Sequence, residues 1–312
     1  MAIVTRILGA LVVLLVVSAI IFALTRLGGV SPARTVLGAD ATADQIAAFE
    51  ADHGLDRPIA LQYLDWLGHL PAEGFATSYV TGQSVNDRLR ETVPVSLTLV
   101  SLAFVLSVIG SVALGSVSAL WENRWPDHVI RILAMSALSI PGFWIGLLLM
   151  LVFGVKLGWL PTVGLTPLSQ GLGPHLASLI LPAVAIAIYY IGAMSRLLRA
   201  SFIDVLGQDY TRTAFALGLP AWNRYLYALR NALPPFVSMA AMSFGYMFGW
   251  AVIVELVFNI HGVSHALLTA IFQRDYPMIQ AVVLLITLVF VIASVLSDLI
   301  QRALNPRLAG GA

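Results

Sequence analysis

The sequence predicts an all-α membrane protein that crosses the bilayer about six times. Three observations carry this: apolar windows of membrane-crossing length, a composition of 59% hydrophobic and 11% charged residues over 312 positions, and arginines gathered on alternate loops. Such a chain is too apolar for a soluble domain and too long for a single anchor.

A bilayer core of roughly 30 Å needs on the order of 20 apolar residues per helix. The windows run approximately Ile7 to Leu27, Val95 to Leu120, Val129 to Val155, Leu176 to Met194, Phe236 to Phe258 and Ile279 to Ile300. The first follows Arg6, as a signal peptide would. Its apolar run is too long for a signal core and lacks a small-x-small cleavage site, so residues 1–27 read as a retained first span.

Residues 28–92 read as a small external subdomain, because Asp40, Asp44, Glu50, Asp52, Asp56, Asp65, Glu73, Asp87 and Glu91 outweigh Arg34, Arg57, Arg88 and Arg90. Thr42-Ala-Asp-Gln45 is a capping box that opens a helix to His53, and Gly54 closes it. Pro58 begins a second helix with Ile59, Tyr63, Trp66, Leu67 and Leu70 on one face. This subdomain is either a packed cap or a surface for a partner.

Residues 93–302 form the membrane core, and 303–312 a short tail. An arginine at mid-bilayer costs about 2.5 to 3.5 kcal/mol on insertion scales, so Arg196 and Arg199 mark the end of the fourth span. The polar stretch 196–235 carries five arginines against Asp204 and Asp209. With alternating spans it shares a side with Arg6, Arg124, Arg302 and Arg307, which places both termini on the cytoplasmic side of the membrane. Within it, Asp209 is placed to cap a short helix whose Ala214 and Leu217 share a face, and Gly218 supplies a left-handed stop. Pro220 then starts an amphipathic helix with Trp222, Tyr225, Leu226, Leu229 and Leu233 at helical spacing, which Pro234 and Pro235 end.

Several functions lack their residues. A net charge of +1 gives no basic field for nucleic acid, and zero cysteines removes disulfides and thiolate metal sites. The one lysine, Lys156, sits in Gly154-Val-Lys-Leu-Gly158, so there is no Walker A loop, and His-Glu-x-x-His, Gly-x-Ser-x-Gly and Gly-x-Gly-x-x-Gly are also missing. If ATP drives this protein, another subunit hydrolyses it.

The chain resembles, over nearly its whole length, the membrane subunit of bacterial ABC importers, in the dipeptide, oligopeptide and nickel permease family. The segments that carry the resemblance are Ser195-Arg196-Leu-Leu-Arg199-Ala-Ser-Phe202 and Gln208-Asp-Tyr-Thr-Arg-Thr-Ala-Phe-Ala-Leu-Gly218-Leu219, which is similar to the family's EAA loop with Arg212-Thr213-Ala214 where the general motif has Glu-Ala-Ala. Gly54-Leu-Asp-Arg-Pro58, Thr92-Val-Pro94, Ser139-Ile-Pro-Gly-Phe-Trp144, Leu157-Gly-Trp-Leu-Pro161, Val254-Glu255-Leu-Val-Phe258-Asn259, Arg274-Asp-Tyr-Pro277 and Asn305-Pro306-Arg307 complete it. Two external runs depart: Gly28-Gly-Val-Ser-Pro32 replaces the usual Pro-Gly-Asp-Pro, and Glu73-Gly-Phe-Ala76 replaces Gly-Asp-Leu-Gly. Both departures bear on the substrate or the binding protein, not on the transport class.

The resemblance implies a type I importer core, a homologous second permease, two ATP-binding subunits that hold ATP and Mg, and an external binding protein. It implies no cofactor, metal or catalytic residue in this chain. Asp209, Tyr210, Arg212, Thr213, Ala214, Leu217, Gly218 and Leu219 then become the ATPase-coupling residues, with Ala214 and Gly218 permitting close approach and Arg212 pairing with an acidic rim. The rival is a helix that only lies on lipid headgroups.

Gly142 with Gly146, and Gly245 with Gly249, are small-x-x-x-small pairs suited to close helix packing. Glu255 is either a pathway carboxylate or one solvated at the headgroups. Asp298 reads as a solvated or Arg302-paired group. His261 and His265 are one helical turn apart, the only direct hint toward nickel, and as a pair they also read as ordinary loop residues. Tyr189, Tyr190, Trp144 and Trp250 read as packing or interfacial anchors. Small peptides are the leading substrate and nickel or another small solute the second. An ion-coupled secondary transporter would need paired midplane carboxylates and an intramembrane hydrolase a facing nucleophile and base, and neither pattern is present.

Overall fold

The computed structural model describes residues 2–27, 31–38 and 40–304. Gly28, Gly29, Val30 and the tail with Asn305-Pro306-Arg307 lie outside the described residues, as do the side chains of Arg6 and Arg302. Twelve α-helices follow one another: α1 (Ala2–Leu27), α2 (Pro32–Leu37), α3 (Ala43–Asp52), α4 (Ile59–Glu73), α5 (Val85–Leu120), α6 (Trp125–Ser139), α7 (Gly142–Leu149), α8 (Leu172–Leu206), α9 (Asp209–Ala216), α10 (Ala221–Val257), α11 (Val263–Gln273) and α12 (Tyr276–Leu304). Among the described residues the only β pairing is one isolated bridge, Thr77 to Ser84. The protein is an all-α membrane protein that has, among the described residues, five helices long and apolar enough to cross a bilayer, or six if the bent pair α6 and α7 is one span.

That bend breaks the window expected as one span over Val129 to Val155 into two helices. The two helices meet at 106°. Pro141 disfavours helical backbone at Ile140, which turns extended at φ −91°, ψ 129°, and Pro141 opens α7 without an amide to satisfy. Beyond α7 the chain widens into a π-helix over Met150–Lys156.

A second correction concerns Pro234 and Pro235, which lie inside α10 and do not end it. Each proline removes one backbone donor, yet the flanking Ala232 and Phe236 are buried and the Ser201 hydroxyl donates to the Ala232 carbonyl at 2.9 Å. Packing from a neighbouring helix holds the strained turn, as transmembrane prolines allow. The headgroup-level helix and the fifth span are therefore one rod of 37 residues.

The chain forms two compact units. The first comprises Met1–Ser96 and His261–Val291. In it α1 packs against α4, and a core of Val85, Leu89, Val263, Ala266, Met278 and Val282 joins the start of α5 to α11 and α12. The capping box is present, with Gln45 N donating to Thr42 Oγ1 at 3.3 Å and Thr42 N to Gln45 Oε1 at 2.9 Å. α4 begins after Pro58 as expected. Asp275 fastens the loop before α5, accepting from Ser78 Oγ at 2.6 Å and from Tyr79 N at 3.2 Å.

The second unit comprises Leu97–Ile260 and Ile292–Ala312. Its axis is α8, packed on α6, α7 and α10. The most apolar window of α8 is 56% buried, against 11% for α1, so α8 is a core helix while most of the α1 surface stays uncovered in this chain. Close crossings depend on glycine: a Cβ on Gly192 would stand 2.8 Å from the Ala134 carbonyl oxygen, and one on Gly115 2.9 Å from that of Ser195.

Candidate functional site

The expected helix-turn-helix element is present between α8 and α10. Gly207 caps α8, and α9 starts at Asp209, with the Gln208 carbonyl accepting from Thr211 N at 3.1 Å and Arg212 N at 3.3 Å. Asp209 is thus the first helical residue, where a carboxylate favours the helix dipole, and not the cap. Gly218 has φ +70° with open space around its Cβ position, so the left-handed backbone, not crowding, requires glycine there. Pro220 precedes α10 as its cap residue.

The element faces two ways. Ala214 is 8% exposed and packs inward, whereas Leu217, one residue past the helix end, is 75% exposed. The two differ in exposure although Leu217 N still donates to the Thr213 carbonyl at 3.0 Å, so the expected shared apolar face is split between the interior and the surface. Ala214 therefore serves internal packing and offers no surface to a partner. Asp209, Tyr210, Arg212, Thr213, Gly218 and Leu219 accompany Leu217 on the exposed side. Arg212 and Asp209 stand 3.7 Å apart, both solvated, a pairing of little weight for stability.

The inward side is tied down. Thr211 Oγ1 donates to the Val205 carbonyl at 2.8 Å, and the Tyr210 ring meets Tyr227 edge-on at 5.9 Å. Tyr225 stacks on Trp222 at 5.3 Å and shares a 3.2 Å hydrogen bond with Ser116. Arg199, read only as a span-end marker, has a structural partner that sequence reasoning missed. Its Nε donates to Asp127 Oδ1 and its Nη2 to Asp127 Oδ2, both at 2.7 Å, while Ser118 Oγ and Asn123 N donate to the same carboxylate at 2.5 and 3.0 Å. Asp127 is wholly buried, and the bidentate pair pins the start of α6 and the end of α5 to α8. The remaining signal in the sequence is a Pro-Asp pair at a helix start, which specifies no partner.

Of the two glycine pairs, Gly142 and Gly146 pack closely: Cβ atoms there would contact Trp250 at 3.7 Å and Phe258 at 3.0 Å. Gly245 is buried in α10. Gly249 meets nothing within 4 Å, so it makes no close crossing within this chain. It opens instead onto a groove of about 910 Å³ lined by Tyr189, Tyr190, Met242, Tyr246 and Trp250, with no charged side chain. Tyr189 stacks on Trp250 at 5.0 Å. Glu255 is fully buried near the end of α10, which sets aside the solvated reading. The rings of His261 and His265 lie 4.7 Å apart. Burial, then His261 and Arg88, push His265 below its ordinary pKa.

A bundle of membrane-length helices interrupted by a braced short helix with an exposed side suits a membrane transport subunit. Residues 111–310 match the family described as binding-protein-dependent transport system inner membrane component, and residues 1–100 match its N-terminal membrane component. The chain belongs to this family, and so is a multi-pass inner-membrane subunit of an ABC transport system. It is 37% identical over 302 residues to the glutathione transport system permease protein GsiC of Salmonella choleraesuis, covering 96% of each chain. It is 36% identical over 305 residues to the protein of that name in Escherichia coli K12, covering 97% of each.

Proposed function

We propose that this chain is one half of the membrane pathway of an ATP-driven importer of small peptides. A homologous second permease supplies the other half, two ATP-binding subunits carry the ATP and Mg, and an external binding protein delivers the solute. The chain itself performs no chemistry and uses no cofactor or metal. Both termini and the 196–235 element face the cytoplasm, and residues 28–92 face outward.

The observation that carries this reading is the two-sided element at α9. A rigid connection into α8 and α10 on one side and an exposed Leu217 on the other suit a part that passes motion from an ATPase into the spans. Docking of the loaded binding protein and closure of the nucleotide-bound ATPase open the pathway outward, and hydrolysis resets it. The peptide class is supported by relatives named for glutathione, itself a tripeptide, and by an uncharged aromatic and methionine groove that tolerates varied side chains. A nickel or other small-solute permease is the second reading, favoured only by the His261 and His265 pair.

The test is ATPase activity of the reconstituted complex with candidate loaded binding proteins. Stimulation by a peptide-loaded partner supports the first reading, and stimulation only by a metal-loaded one reverses the order. Solute accumulation by the chain alone on an ionic gradient overturns both.

A further inference from the structure

Arg26, in the last turn of α1, has a buried donor that the described residues leave unmatched. Its guanidinium carries five N–H donors. Nε donates to Gln62 Oε1 at 2.5 Å, and the plane lies over the Phe22 ring at 3.4 Å and faces Tyr276 at 5.9 Å. Nη1 is sealed from solvent and has no hydrogen-bond partner. Among the described residues no carboxylate stands within ion-pair distance of it. Asp65 holds Arg57 at 2.5 Å and Asp275 accepts from Ser78 and Tyr79, while Glu50 shares the lining of the smaller cavity with Arg26 and makes no ion pair with it.

Gln62 explains why the guanidinium does not turn away. Gln62 is 9% exposed, and its amide donates to the carbonyls of Leu55 at 3.1 Å and Arg57 at 2.7 Å. Its oxygen is therefore fixed toward Arg26. Arg26, Arg57 and Gln62 each line two cavities of about 260 and 580 Å³. Ser31 lines the smaller of them, at the position where the chain departs from the Asp-Pro of the run it resembles. A buried, unmatched cationic donor costs more than a neutral one, and a carboxylate is its complement in shape and charge.

We propose that Arg26 is a receptor for the carboxylate of a small solute, the transported peptide, entered through these cavities. The inference rests on the peptide reading above and adds the group that is recognised and the residue that does it. The cavities, of about 260 and 580 Å³, are partly open to solvent and have room for a ligand of dipeptide size.

The experiment uses the assembled transporter in nanodiscs without binding protein, at constant chloride, and follows its melting midpoint. Alanyl-alanine should raise the midpoint saturably by about 2–4 °C, its C-terminal amide should not, and acetate should act weakly. Arg26→Gln should weaken the dipeptide effect at least tenfold, and Arg26→Lys should keep part of it. Ser31→Asp, which adds a carboxylate to the lining of the smaller cavity, should abolish the response. Equal protection by acid and amide, or protection that survives both Arg26→Gln and Ser31→Asp, overturns the proposal. Arg26-dependent protection by acetate without any by dipeptide keeps the carboxylate receptor and counts against peptides as the solute. Protection only by an added acidic binding protein overturns the small-solute assignment.

Discussion

Asp127 is one of sixteen acidic residues in the chain, and nothing beside it in the sequence announces its partner 72 positions away. The structure makes it the anchor of four donors, so Asp127→Asn should destabilise the folded protein by about 3 kcal/mol, because Arg199 keeps its charge and loses its match. Arg199→Lys should cost less, about 1–2 kcal/mol, since charge is kept and the fork is lost. Thermal melts of the purified variants check the order, and equal losses would show that the fork is unimportant. The pH dependence of stability turns on two other residues. Burial first, and then His261 and Arg88, lower the His265 pKa from 6.5, so its contribution is present above that value and is lost as pH falls below it. Asp275 works in the opposite sense. Burial raises its pKa from 3.8, so its contribution is present below that value and lost as pH rises through the raised one. Between pH 7 and 5 the His265 part lowers the melting midpoint and the Asp275 part opposes it, so His265→Asn should make the change in midpoint from pH 7 to 5 less negative than in the unchanged protein.

At the scale of the element, Gly218 and Leu217 divide backbone from surface. Gly218→Ala places a Cβ on a backbone at φ +70° and should cost about 1 kcal/mol with transport largely kept. Gly218→Arg adds a long charged side chain to the exposed turn and should abolish uptake while insertion is unchanged. Leu217→Asp removes an exposed apolar contact and should uncouple ATPase from uptake with no loss of fold. Unchanged uptake in all three, measured in proteoliposomes of the assembled transporter, would remove this element from coupling. The element was legible in the sequence because local rules govern it: a helix start, a glycine stop and a proline restart sit within twelve residues. What lay beyond those rules was tertiary. Pro234 and Pro235 read as a stop because a proline weakens an isolated helix, and only α8, through Ser201, keeps α10 running. Pro141 reads as part of a family segment inside an apolar window and not as a break, since hydropathy averages over a bend that backbone geometry imposes. Ala214 looked like a contact residue for the same reason that it packs well internally, its small size.

For the whole molecule the open quantity is which side of the membrane each loop occupies, and the sequence itself supplies the means to measure it. The chain has no cysteine, so a single engineered thiol reports its own position without a background to remove. Thr81 and Leu217 are both exposed, and each lies outside the membrane-length helices. In right-side-out vesicles Thr81→Cys should react with a membrane-impermeant maleimide at once, and Leu217→Cys only after permeabilisation. The charge balance of residues 28–92 against 196–235 sets this expectation, and the reverse labelling would overturn the arrangement of the spans. The same thiol tests assembly. In permeabilised vesicles that hold the ATPase subunits, Leu217→Cys should label at least fivefold more slowly than in vesicles without them, while Thr81→Cys labels at one rate in both. Slow labelling of both thiols would indicate a general change of accessibility, and only the selective loss at Leu217 places the ATPase against the exposed side of α9.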